Sequence, residues 1–116
     1  MQFENLSESL RRYFVQFFGD EDTVKNIILT FQMEGEALLS TFNITPNNTN
    51  QTAIEILAKT YVTYKLYEAA GDSDKVEFYH NQFMEQVSMT IKGAKLKKEE
   101  ETEEIIEKLG ITVYNK

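Results

Sequence analysis

His80 is the single histidine among 116 residues, and cysteine and tryptophan are absent. With no thiol there is no disulfide framework, zinc–thiolate site, iron–sulfur cluster or cysteine nucleophile. An imidazole that titrates near neutral pH is a natural general base. No acid or nucleophile is spaced to serve His80, however, and it lies on or beside an apolar stripe, so it reads as an aromatic packing residue. Glu77-Phe78-Tyr79-His80 matches the Glu-x-x-His unit of carboxylate-bridged metal bundles once. Those sites need a second such pair and inward glutamates from two other helices, and Glu34, Glu36, Glu55 and Glu68 do not supply that pattern. Asp72-Ser73-Asp74 looks like the start of a calcium loop but lacks its central glycine and closing glutamate, so helix capping accounts for it. Phosphate-cradling glycine loops and Gly-x-Ser-x-Gly elbows are missing. The chain therefore reads as a non-enzyme with no cofactor and no metal.

The remaining polar chemistry is charge. Twelve Lys and Arg face nineteen Asp and Glu, a net charge of −7. Residues 92–116 hold six Lys and six Glu, so the whole excess of negative charge belongs to residues 1–91. An acidic surface repels the phosphate backbone, which argues against nonspecific nucleic-acid binding. Arg11-Arg12 and Lys95, Lys97 and Lys98 are the basic clusters, and they read as solvated helix faces.

These residues are positioned by helices. Leu6, Leu10, Tyr13, Phe14, Phe17 and Phe18 recur at three and four residues, with Ser7 as N-cap and Gly19 as stop. Acidic Asp20-Glu21-Asp22 then opens a second helix at its positive dipole end. Its stripe is Val24, Ile27, Ile28, Phe31, Leu38, Leu39 and Phe42, interrupted by Gly35, which allows a close crossing or a bend. Asn43 to Asn50, with the only proline, is a loop. The third helix, to about Ala70, carries Ile54, Leu57, Ala58, Tyr61, Val62, Leu66 and Ala69 on one stripe. Ala53, Ile56, Tyr64 and Tyr67 form a neighbouring one, a girth so apolar that the helix is expected to be central or shared with a partner. Gly71 ends it and Asp72-Ser73 caps a fourth helix with Val76, Tyr79, His80, Phe83, Met84, Val87 and Ile91, giving an antiparallel hairpin.

After Gly93 the pattern predicts a boundary. Lys95 to Lys98 would close one helix, and the glutamates from about Glu99 would open another that runs through Ile105, Ile106 and Leu109 to Gly110. Ile111-Thr112-Val113-Tyr114 alternates like a short strand. A lone strand needs a partner, so it is expected either to be an irregular tail or to add to a sheet in another chain. The expected fold is all-α: a small four-helix bundle over residues 1–94, then a charged helix and strand-like arm over residues 95–116. No signal sequence or spanning segment is recognised, so a soluble intracellular or virion protein is expected.

Two blocks carry a family likeness: Asp22-Thr23-Val24-Lys25-Asn26-Ile27-Ile28 through Glu34-Gly35-Glu36-Ala37-Leu38-Leu39 to Phe42, and Ala53-Ile54-Glu55-Ile56-Leu57-Ala58-Lys59-Thr60-Tyr61 through Leu66-Tyr67-Glu68-Ala69-Ala70-Gly71-Asp72. With Tyr79 and Phe83 they span about two-thirds of the chain, which resembles the head–tail connector (adaptor, or head-completion) proteins of tailed bacteriophages. The resemblance implies a homo-oligomeric ring bound to the portal protein and neighbouring neck proteins in the virion, after assembly in the host cytoplasm. DNA would pass through its lumen without specific binding, and no membrane would be involved. Tyr64 and Tyr67 on the third helix are the interface residues this predicts. Ile111, Val113 and Tyr114 would form the docking arm. The other reading is a cytoplasmic helical interaction module, either a phage assembly chaperone or a tetratricopeptide-like adaptor. No second copy at a period near thirty-four residues supports the latter.

Overall fold

The computed structural model describes residues 1–108, with side chains as far as residue 93. A 3-10 turn at Phe3–Asn5 precedes four helices: α1 (Glu8–Phe18), α2 (Glu21–Thr41), α3 (Gln51–Ala70) and α4 (Ser73–Lys108). There is no strand among the described residues. Each helix start is made by the polar side chain just before it. Ser7 Oγ accepts the Leu10 N–H, Asp20 Oδ1 the Thr23 N–H at 2.7 Å, and Asn50 Oδ1 the Thr52 N–H at 2.7 Å. These bonds satisfy N–H groups that the first turn of a helix leaves orphaned. The same bond holds the Asp20 carboxyl below its ordinary range.

The stops use one device twice. At the end of α3, Gly71 takes a left-handed φ of +77°, its N–H donates to Glu68 O, and the Asp72 N–H reaches back to Tyr67 O. At the end of α2, Asn43 takes φ +60°, its N–H donates to Ser40 O, and the Ile44 N–H donates to Leu39 O. This paired bonding is the Schellman closure, and its usual apolar contact is present because Ile44 and Leu39 are buried together. Asn48 fixes the loop that follows, accepting from the Thr45 N–H and donating to Asn43 O.

The central position expected for α3 is what the chain adopts: α1, α2 and α4 all pack on it. One cluster joins Phe3, Leu6 and Phe14 to Val24 and Ile28 of α2 and to Val62, Leu66 and Tyr67 of α3. The other joins Leu39, Ile44, Leu57 and Tyr61 to Phe83 and Val87 of α4. Thr60 and Thr63 are buried within α3 because each hydroxyl donates to the carbonyl four residues back, Ile56 O and Lys59 O. Gly35 marks a close crossing of α2 over α3. A Cβ there would stand 2.8 Å from Tyr61 Cδ1.

The expected boundary after Gly93 is not present. α4 continues without interruption from Ser73 to Lys108, so the charged segment extends the fourth helix and is no separate element. Gly93 is not left-handed, and a single glycine in a helix interior costs only about 1 kcal/mol relative to alanine. The Lys and Glu residues that follow are good helix formers, so nothing local forces a stop. The division at residue 94 therefore falls inside α4. Ile111, Val113 and Tyr114 lie outside the described residues.

Candidate interaction surfaces

Aromatic side chains fill the α3–α4 seam. The Tyr67 and Tyr79 rings stack at 5.5 Å with an interplanar angle of 8°, Tyr61 meets Phe83 at 5.5 Å, and His80 meets the edge of Tyr64 at 5.3 Å. Phe14 of α1 packs edge-on to Tyr67 at 5.4 Å. Such pairs contribute about 0.5–1.5 kcal/mol each beyond their burial. The seam also assigns the residues singled out from the sequence. Tyr67 is buried in the core beneath α1, so its ring serves the fold and is not offered to a partner. Tyr64 is half-buried against His80 and Phe83, with part of its ring still open. His80 is an exposed packing residue, and among the described residues no group of three or more His, Cys, Asp or Glu is arranged to hold a metal.

Beside Tyr64 lies a cluster of polar groups. The Tyr61 hydroxyl donates to Glu34 Oε2 at 3.3 Å, and Lys65 Nζ pairs with Glu68 at 2.9 Å while lying 5.7 Å from the Phe31 ring centre. Burial pushes the Tyr61 phenol up to about 12, and raises Tyr64 and Tyr67 in the same direction. The Glu68 carboxylate raises Lys65. Phenols held neutral beside a paired lysine make poor nucleophiles and good hydrogen-bond donors, so this cluster is suited to structure more than to catalysis.

The open feature lies on the opposite side of α3. The Met1–Asn5 segment, α2 and the first half of α3 enclose a groove of about 1000 Å³. Its floor is Phe3, Ile28 and Ala58, all buried. Its two walls carry Leu29, 58% exposed, and Ile56, 50% exposed. Side chains of that size left half open on facing helices form an unfilled apolar surface. The groove keeps its shape because its back is pinned. The Met1 ammonium donates to Gln32 Oε1 at 2.9 Å, the Gln2 N–H donates to Asn5 Oδ1 at 2.8 Å, and Phe3 lies beneath Lys25. Lys25 is held by Glu21 and Glu4. Lys59 on the rim has no carboxylate within salt-bridge distance among the described residues.

The apolar stripe Ala53, Ile56, Tyr64 and Tyr67 thus divides. Its C-terminal members close the core and Ile56 opens on the groove. Leu29, Tyr13, Phe17 and Phe78 were assigned to no surface by periodicity, since a stripe places residues on a face without saying how wide the buried part of that face is. All four are exposed. No helix among the described residues is long and apolar enough to cross a membrane. Comparisons with protein-family models, with curated proteins and with solved structures find no match.

Proposed function

We propose that the chain is a structural assembly subunit, specifically an adaptor of a tailed-phage neck that forms a homo-oligomeric ring between portal and tail. One observation carries the reading: the molecule has the two halves of an intermolecular contact and fills neither itself. One half is the apolar groove. The other is α4, which outruns the bundle. Tyr67 lies level with Tyr79 and Tyr61 with Phe83 along the antiparallel seam, so Gln51, the first residue of α3, stands level with about Gly93. The fifteen residues from Gly93 to Lys108 then project about 22 Å past α3 at 1.5 Å per residue. A helix without neighbours along its own chain for four turns is a means of reaching another molecule. The phage neck is named on the resemblance described above. The acidic excess of residues 1–91 suits a channel that DNA must slide through without adhering.

The test is light scattering and negative-stain microscopy of the purified chain, alone and with the portal protein encoded beside it. A ring, formed alone or on the portal, is the expected result. A stable one-to-one complex with a soluble protein, together with absence from mature particles, would replace this reading with the chaperone.

A further inference from the structure

We infer that the groove between α2 and α3 receives residues 109–116 of a second copy of this chain. The inference rests on the assembly-subunit reading and gives it a specific contact. Reach decides which copy supplies the segment. Measured from Lys108, Ile111 is three residues away and Tyr114 six. A fully extended chain advances at most about 3.3–3.6 Å per residue, so Tyr114 can return no more than about 21 Å and Ile111 about 10 Å. The overhang of α4 beyond the start of α3 is itself about 22 Å. Even a chain doubled straight back would leave all three apolar residues short of Gln51, where the groove begins, and further short of Ile56 one and a half turns inside it. The segment cannot occupy its own groove while α4 is intact, and the same projection carries it to a neighbour.

The chemistry of the two surfaces agrees. In an extended segment Ile111 and Val113 fall on one face, the right complement for facing walls of Leu29 and Ile56 over a floor of Ile28 and Ala58. Glu104 and Glu107, just before the segment, would arrive beside Lys59, a rim cation without a partner among the described residues. Strand addition between copies is disfavoured, because the described residues present no sheet edge to pair with. What the body of the molecule offers an apolar segment is a side-chain groove. A head-to-tail contact of this kind places donor and acceptor on different surfaces, and it closes into a ring when the rotation between copies allows.

The absence of cysteine makes the test direct. Full-length Ile56→Cys and Val113→Cys chains are mixed and oxidised. A disulfide-linked dimer containing one of each is expected, whereas Tyr13→Cys, on an exposed residue of α1 outside the groove, should give at least tenfold less dimer with Val113→Cys. The double variant carrying both cysteines should form ladders. A monomer with an internal disulfide would overturn the inference. Leu29→Glu, at a site exposed enough to leave the fold unchanged, should weaken self-association at least tenfold by sedimentation. A chain ending at Lys108 should lose association to the same extent. If that shortened chain associates as strongly as the full one, the groove is not the acceptor for this segment and the inference falls while the assembly-subunit reading stands. If neither form associates with itself or with the portal, both fall.

Discussion

Replacing Gly35 by alanine sets two known effects against each other at one atom. Gly35 is in the middle of α2, where alanine gains about 1 kcal/mol of helix propensity. Against this stands the added Cβ, 2.8 Å from Tyr61 Cδ1 and 3.2 Å from Cγ, where carbon atoms rest at about 3.5–4.0 Å. The ring must retreat by roughly 0.7 Å or more. It cannot pivot away cheaply, because the atoms met are at its root. Its far side is also held by Tyr64 at 5.2 Å, by Phe83 at 5.5 Å and by the bond to Glu34. Overpacking of a fixed core costs about 1–3 kcal/mol, and this geometry belongs at the upper end. The expected net loss is about 1–2 kcal/mol, or a fall in Tm of about 4–8 °C for a domain of this size, measured by urea and thermal unfolding at 222 nm. Two companions fix the cause. Gly93→Ala, also within a helix but with nothing near its Cβ, should stabilise by up to about 1 kcal/mol. In a Tyr61→Ala background the Gly35→Ala change should turn from destabilising to stabilising. If Gly35→Ala raises stability with Tyr61 in place, the argument that glycine is there for close approach is refuted.

Other outcomes follow from the caps and the phenols. Gly71→Ala forces a Cβ into the left-handed region at φ +77° and should cost about 1–2 kcal/mol, whereas Gly71→Asn should recover part of the loss because asparagine tolerates that region, both read from urea midpoints. Tyr61, Tyr64 and Tyr67 all have phenols raised by burial. A raised folded pKa means a contribution complete below the unfolded value near 10 and lost as pH rises towards 12, so stability should fall across that window and ultraviolet titration should show late phenols ionising with unfolding. Asp20 behaves oppositely. Its pKa is lowered by the cap bond to Thr23, so its contribution is present above the unfolded value near 3.8 and is lost as pH falls below it, and Asp20→Asn should flatten the acid limb of the stability curve.

Helix starts and stops were legible in the sequence because each depends on one or two adjacent residues. Ser7, Gly19, Asp20, Asn50, Gly71 and Asp72 all act where their types predict. The centrality of α3 was legible as well, since an apolar girth must be covered. The boundary after Gly93 was misread because a switch from lysine to glutamate was weighed as a dipole signal. That signal amounts to a few tenths of a kcal/mol to about 1 kcal/mol at an exposed helix end, and it cannot outweigh the continued gain of one hydrogen bond per residue in a sequence of good helix formers.

The groove was not legible for a different reason. Ile56 and Tyr67 belong to one stripe, and periodicity treats them alike. What separates them is the neighbour each one meets. Phe14 of α1 lies over Tyr67 and covers it, whereas α1 has only eleven residues, about 16 Å of helix, and contributes nothing to the lining of the groove around Ile56. The uncovered half of α3 is thus set by the length of a helix distant in sequence, together with the pinned Met1–Asn5 segment that closes the back of the opening. A short α1 beside a long α4 leaves an apolar groove unfilled within the chain and projects the helix that precedes Ile111 and Val113 away from it. The unequal lengths of these two helices are what turn a four-helix bundle into a subunit that reaches for a neighbour.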